Sequence, residues 1–115
     1  MTIAEQSHGS VSVLGFHGSF MGEPEATLFH QKKFQLLEAS RIRIVLDCSK
    51  MTMINSSGLG SLISALVTFR DRGGDLRLAK LNSVLESVIQ KVQLDKIFRI
   101  FGTVDEAVSS FDEEK

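Results

Sequence analysis

Apolar and β-branched residues cluster in five short runs along this chain, and each run predicts a β-strand. The first two, over 3–8 and 11–16, flank a Gly-Ser turn and are expected to pair as a hairpin. The third, over 42–46, is apolar almost throughout, as expected of a strand covered on both faces. The last two lie over 76–79 and 97–101, although 97–98 fit a preceding turn equally well.

Between these runs, apolar residues recur every three to four positions, which predicts four helices. The predicted helices cover about 24–40, 56–72, 83–92 and 104–111. Gly73-Gly74, after the second, supplies the left-handed residue that a helix end favours. The order ββαβαβαβα implies right-handed crossovers and a mixed, mostly parallel sheet. We therefore predict a single α/β domain over 1–115, with 112–115 as a solvated tail.

The spacing also predicts which side chains face the core. Phe34 is assigned to the inward face of the first helix. Met51 and Met53 are interpreted as core residues that fill gaps before the second helix, with an adaptable docking surface as the alternative. A solvated edge is predicted for the basic cluster of Arg70, Arg72, Arg77 and Lys80, because acidic residues are interleaved with it.

Composition and charge narrow the class of protein. With 43% apolar and 23% charged residues, the chain has the composition of a globular domain, and its formal net charge of −1 gives no long-range field for nucleic acid or anionic lipid. No apolar run reaches the roughly 18 residues of a membrane span. The N-terminus lacks the basic start and apolar core of a signal peptide. Because Cys48 is alone, no internal disulfide forms, and we expect a cytoplasmic protein without direct nucleic-acid contact or membrane insertion.

The most informative segment, Met53-Ile54-Asn55-Ser56-Ser57-Gly58-Leu59-Gly60, opens the second predicted helix. A helix start presents unpaired backbone N–H groups and the positive end of the helix dipole, which together favour phosphate. Asn55 or Ser56 is expected to cap this helix, and the two glycines to allow close packing. A second, compatible interpretation is that Ser56 receives a phosphoryl group, which adds about −1.5 to −2 charges.

Catalytic and metal-binding patterns are missing from the sequence. His8, His17 and His30 have no spacing suited to a shared metal, and Cys48 has no CxxC partner. The serine pair is not a nucleophile elbow, because glycine is missing two residues before either serine and no histidine follows His30. The third glycine of a dinucleotide fingerprint and a Walker lysine are also missing. We therefore expect that the protein is not an enzyme and needs no cofactor or metal.

The segment from Ile44 to Leu62, IVLDCSKMTMINSSGLGSL, resembles the signature of the STAS domain family, the anti-sigma-factor antagonists. In that family a strand leads to Asp-Ser-Ser/Thr-Gly-Leu-Gly and a helix. The resemblance extends over nearly the whole chain, through the opening hairpin, the Gly-Gly turn before 75–78, and 94–98 leading to the last strand. It implies the STAS fold.

The resemblance also implies a function. Ser56 matches the family's phosphoacceptor, Ser57 the second hydroxyl, and Gly58 and Gly60 the glycines that shape the turn. By resemblance, the unphosphorylated protein binds an anti-sigma factor that is also a Ser/Thr kinase and so frees a sigma factor. The kinase then phosphorylates the antagonist with ATP and releases it, and a PP2C-like phosphatase resets it. The antagonist is the substrate of this cycle and catalyses nothing.

The sequence departs from the family pattern at Asn55, where aspartate is usual. Asparagine caps a helix about as well as aspartate but lacks its charge. The missing charge leaves open a STAS accessory subunit of a transporter or signalling scaffold without a phosphoswitch. A second alternative, a nucleotide-binding module that holds phosphate at 55–60, rests on the helix dipole at this turn. The sequence also leaves open whether a homodimer forms.

Overall fold

The computed structural model describes residues 2–114, with side chains through residue 112. These residues form six strands and four α-helices. The strands are β1 (Thr2–His8), β2 (Val11–Phe20), β3 (Arg43–Asp47), β4 (Met51–Ile54), β5 (Asp75–Ala79) and β6 (Ile100–Phe101). The helices are α1 (Glu25–Glu38), α2 (Ser56–Asp71), α3 (Ser83–Lys91) and α4 (Val104–Ser110). Short 3-10 helices cover Leu94–Lys96 and Phe111–Glu114.

The strands form one mixed sheet, in the order β1-β2-β3-β5-β6. The pair β1–β2 is antiparallel, and the other pairs are parallel. The prediction of an α/β domain with an antiparallel hairpin at the start of a mostly parallel sheet is confirmed. Because the parallel strands β2, β3, β5 and β6 follow one another in one direction across the sheet, right-handed crossovers place the three connecting helices, α1, α2 and α3, on the same face.

The predicted order of elements missed β4. This strand lies off the main path and pairs in parallel with the far end of β2, across a register shift between Gly18 and Ser19. Its four residues are too few to show a period of two, and its formation depends on β2 continuing to Phe20 rather than ending at 16. The last predicted strand is shorter than expected, because part of 97–101 forms the turn before β6.

The core is divided between the two sheet faces. On one face, α1, α2 and α3 cover alternate strand residues such as Phe16, Ile44 and Leu78. On the other face, α4 covers the residues between them, including Val13 and Val45. Because side chains alternate across a strand, each central strand contributes to both layers.

Two side chains predicted to face the core are largely exposed. Phe34 is 58% exposed, because the buried face of α1 passes through Phe29, Lys33 and Leu36 instead. Met53 is 42% exposed, whereas Met51 is buried as expected. The prediction was wrong for Met53, because this residue follows the register shift between β2 and β4 and its side chain faces solvent.

The predicted solvated edge was wrong for Arg77, which is only 1% exposed. Its strand, β5, lies between β3 and β6 and is covered by α4. Arg77 Nε donates to Asp75 Oδ2 at 2.9 Å, Nη1 donates to Ser110 Oγ at 2.7 Å, and the guanidinium lies 3.9 Å from the centre of the Phe111 ring. A buried arginine therefore joins β5 to α4.

The predicted helix end at Gly73-Gly74 is confirmed. Gly73 has φ +88°, the left-handed conformation that glycine adopts most easily, and Gly74 N–H donates to Phe69 O at 2.8 Å. At the other end of the chain, 111–114 form a 3-10 turn where a tail from 112 was predicted, and residue 115 lies outside the described residues.

Candidate functional site

The turn between β4 and α2 is built on the end of β2. Asn55 has the extended backbone of an N-cap (φ −118°, ψ −171°), and its Oδ1 accepts from Gly58 N–H at 3.1 Å. Asn55 N–H donates to Phe20 O at 3.3 Å, and Asn55 O accepts from Leu59 N–H at 2.9 Å. The expectation that Asn55 or Ser56 caps the helix is confirmed for Asn55.

Ser56 and Ser57 are the first two residues of α2, and both are exposed. Within residues 2–114, neither hydroxyl makes a hydrogen bond, and the backbone N–H groups of the two serines have no acceptor. The first turn of α2 contains no acidic residue, and its cap is neutral. No acid on α2 itself therefore compensates the positive end of the helix dipole beside these two hydroxyls.

The two glycines of the turn differ in the space that surrounds their Cα atoms. A Cβ at Gly58 would lie 2.2 Å from Phe20 O and 2.7 Å from Ile54 Cγ1, so this position has no room for a side chain. A Cβ at Gly60 would meet nothing within 4 Å. The expected close packing is confirmed for Gly58 and wrong for Gly60, which lies on the open side of α2.

The loop between β2 and α1 lies against the serine turn. Asn55 Nδ2 donates to Met21 O at 2.8 Å. Gly22 of this loop, His30 of α1 and Ser57 line one open groove. The carboxyl ends of neighbouring parallel strands meet at one edge of a sheet, which is why these segments converge.

Two exposed methionines lie beside the turn: Met21, which the sequence did not single out, and Met53, for which a docking surface was the alternative interpretation. Met21 is 45% exposed in the β2–α1 loop, and Met53 is 42% exposed on β4. The register irregularity between β2 and β4 breaks the alternation of β4, so Met51 is buried and Met53 is exposed although they are two residues apart. We call Met21, Met53, Ser56, Ser57 and Gly60 the serine-turn surface.

The remaining candidates for a chemical role are Cys48 and the metal-ligating side chains of the described residues. Cys48 is buried, and burial, together with the nearby charge of Asp47, raises the pKa of its thiol to about 12. The thiol is therefore protonated and behaves as a small apolar side chain. Within residues 2–114 no three His, Cys, Asp or Glu side chains are grouped as a metal site. None of the helices formed by these residues is long and apolar enough to span a membrane.

Fold and site together define a small α/β domain that presents an exposed serine pair at a capped helix start. The model of the STAS domain family matches residues 3–107, and the chain belongs to that family. A protein of Thermotoga maritima, provisionally named an anti-sigma factor antagonist, is 31% identical over 84 residues, which are 72% of this chain and 74% of the relative. A crystal structure of such a protein from the same organism has a TM-score of 0.86 at 26% identity and covers 94% of this chain and 92% of that one.

Two more distant structures share the fold alone. The Bacillus cell fate determinant SpoIIAA in its phosphorylated form has a TM-score of 0.74 at 14% identity, over 96% of this chain and 99% of that chain. The murine anion transporter Slc26a9 has a TM-score of 0.75 at 16% identity, over 96% of this chain but only 19% of the transporter. The same fold therefore occurs in a small regulator and as part of a membrane transporter.

Proposed function

We propose that this protein is an anti-sigma-factor antagonist and that phosphorylation of Ser56 controls its binding to its partner. Without phosphate, it binds an anti-sigma factor that is a Ser/Thr kinase and so frees a sigma factor. Phosphorylation releases the antagonist, and a PP2C-like phosphatase restores it, all in the cytoplasm. The observation that carries the proposal is the exposed, unbonded hydroxyl of Ser56 at the start of α2. The names of the Thermotoga relatives support it.

The electrostatics of the turn support a phosphoserine at this position. A phosphate on Ser56 would lie next to two free backbone N–H groups and the positive end of α2. Because Asn55 is neutral and the first turn of α2 has no acid, no carboxylate on the helix start itself opposes the dianion, and the carboxylate of the adjacent groove is that of Glu23 in the β2–α1 loop. A favourable helix-end interaction contributes about 0.3–1 kcal/mol for an exposed charge. We therefore expect the helix start to accommodate a phosphate on Ser56 with Asn55, in place of the family's aspartate, as its cap.

The serine-turn surface explains how a phosphate would release a partner. Met21 and Met53 are exposed, flexible apolar side chains on the two segments that lead to the serine turn. Docking on them removes water from this region. A phosphate with about −1.5 to −2 charges resists that desolvation, so it weakens docking without unfolding the domain.

Phosphopeptide mass spectrometry on the protein purified from its native cells tests the modification. We expect phosphate on Ser56 in the wild-type protein and in Ser57→Ala, and none in Ser56→Ala. Phosphate confined to Ser57, or none under several growth conditions, would contradict the proposal.

Partner identity tests the rest of the function. An anti-sigma kinase should co-purify with the wild-type protein, and Ser56→Asp should weaken that complex more than Ser57→Asp. Co-purification with a transporter instead would favour the accessory-subunit function, which the fold shared with Slc26a9 supports. A nucleotide-binding role has less support, because no Lys or Arg lies within 51–60.

A further inference from the structure

The side chain of Asn55 uses both ends of its amide. Because Gly58 N–H can only donate, the atom facing it at 3.1 Å is the carbonyl oxygen Oδ1. The opposite end is therefore the NH₂ group, and it donates to Met21 O at 2.8 Å. One bond caps α2, and the other reaches a loop 34 residues earlier in the chain.

Asn55 binds two successive carbonyls of that segment. Its backbone N–H donates to Phe20 O, and its side chain donates to Met21 O. The next carbonyl, Gly22 O, accepts from Ala26 N–H at 2.8 Å and so connects the loop to the start of α1. The position of the loop relative to Ser56 thus depends on a donor that an ionised aspartate does not have.

We infer that Asn55 is a positioning residue: its amide holds the Met21–Gly22 loop against the serine turn, and this sets the shape of the surface on which the partner docks. We call the pair of side-chain bonds, to Gly58 N–H and Met21 O, the amide clamp. The functional half of this inference rests on the proposed function, whereas the clamp itself can be tested without a partner. The family's usual aspartate would keep the cap and lose the second bond.

The chain contains a matched control at another helix start. Asn82 caps α3 by accepting from Leu85 N–H at 2.9 Å, and its Nδ2 donates to Met51 O at 3.0 Å. Asn82→Asp therefore removes the same kind of bond from a comparable position while leaving the contact between Asn55 and Met21 in place. Each replacement is nearly isosteric and preserves a good N-cap, so both variants are expected to fold.

Hydrogen exchange followed by NMR tests the clamp. In Asn55→Asp, the Ala26 amide should exchange about three- to tenfold faster, as expected for the loss of one neutral hydrogen bond and the repulsion of a carboxylate from Met21 O. In Asn82→Asp, exchange at Ala26 should match the wild-type protein. Equal exchange at Ala26 in all three proteins would overturn the clamp.

Phosphorylation kinetics with the anti-sigma kinase obtained by co-purification test the positioning role. Asn55→Asp should raise KM for the antagonist about three- to tenfold and leave kcat unchanged, because the loop contributes to docking and not to the reacting atoms. Asn82→Asp should change neither constant. A loosened loop with an unchanged KM would overturn the positioning role and leave the proposed function intact. Failure of the proposed function would instead appear as the absence of phosphate from Ser56 in the wild-type protein.

Discussion

Replacing Gly58 with alanine tests whether the serine turn depends on direct contact between α2 and β2. The added Cβ would lie 2.2 Å from Phe20 O and 2.7 Å from Ile54 Cγ1. The first of these atoms is backbone and accepts from Asn55 N–H, so the helix start has to move away from the end of β2. We expect a marked loss of stability.

The magnitude follows from three contributions. Alanine favours a helix over glycine by about 1 kcal/mol. Against this gain, overpacking costs about 1–3 kcal/mol, and loss of the Asn55–Phe20 hydrogen bond costs about 1 kcal/mol. The backbone contact places the clash at the upper end, so the net loss is about 2–3 kcal/mol. With a urea m-value of about 2 kcal/mol per molar, the unfolding midpoint should fall by roughly 1 M.

Gly60→Ala is the matched control, measured by urea unfolding followed by circular dichroism. A Cβ at Gly60 has nothing within 4 Å, so this variant should gain stability, by up to about 1 kcal/mol. Opposite signs for the two alanines would support the close approach of α2 to β2. A Gly58→Ala protein as stable as the wild type, or equal losses in both variants, would refute the reasoning.

Three further predictions concern buried groups and the docking surface. Arg77→Ala should cost about 3 kcal/mol in urea unfolding, because it removes the buried ion pair with Asp75; a loss below about 1 kcal/mol would contradict the burial. Burial raises the pKa of the Cys48 thiol from 9.0 to about 12. Ionisation of this thiol should therefore leave the free energy of unfolding unchanged below pH 9 and lower it by about 1.4 kcal/mol per pH unit between pH 9 and 12. The Cys48→Ala variant should lack this contribution to the pH dependence. Replacing Met21 and Met53 together by Ser should weaken kinase binding about tenfold with unchanged helix content, whereas unchanged affinity would exclude them from the interface.

Most elements of the fold could be predicted from the sequence, because their signals are local. Apolar spacing and caps identified the opening hairpin, four helices and three of the remaining strands. The pattern failed where a segment is short or depends on a distant partner. The strand β4 has four residues and exists through its pairing with β2. Phe34 is one position away from the buried face of α1, an offset smaller than spacing alone can resolve.

The candidate site was only partly predictable, for the same reason. Ser56 at a helix start and a cap at Asn55 follow from residue types and order. The contact between Asn55 and Met21 was not predicted, because only the folded chain shows which residue of the β2–α1 loop faces the turn. Arg77 was predicted at a solvated edge, because acidic residues lie near it in the sequence. It is buried because α4 covers β5, which the sequence does not show.

The sequence by itself determined the α/β class, the STAS signature, and the serine pair at the start of a helix. Each of these is set by residues within one turn or one strand of each other. Only the tertiary structure decided that Gly58 admits no side chain, that Gly60 does, and that the amide of Asn55 also holds the loop at Met21. Parallel strands connected by helices bring together residues that are far apart in the chain, and such contacts have no local period in the sequence.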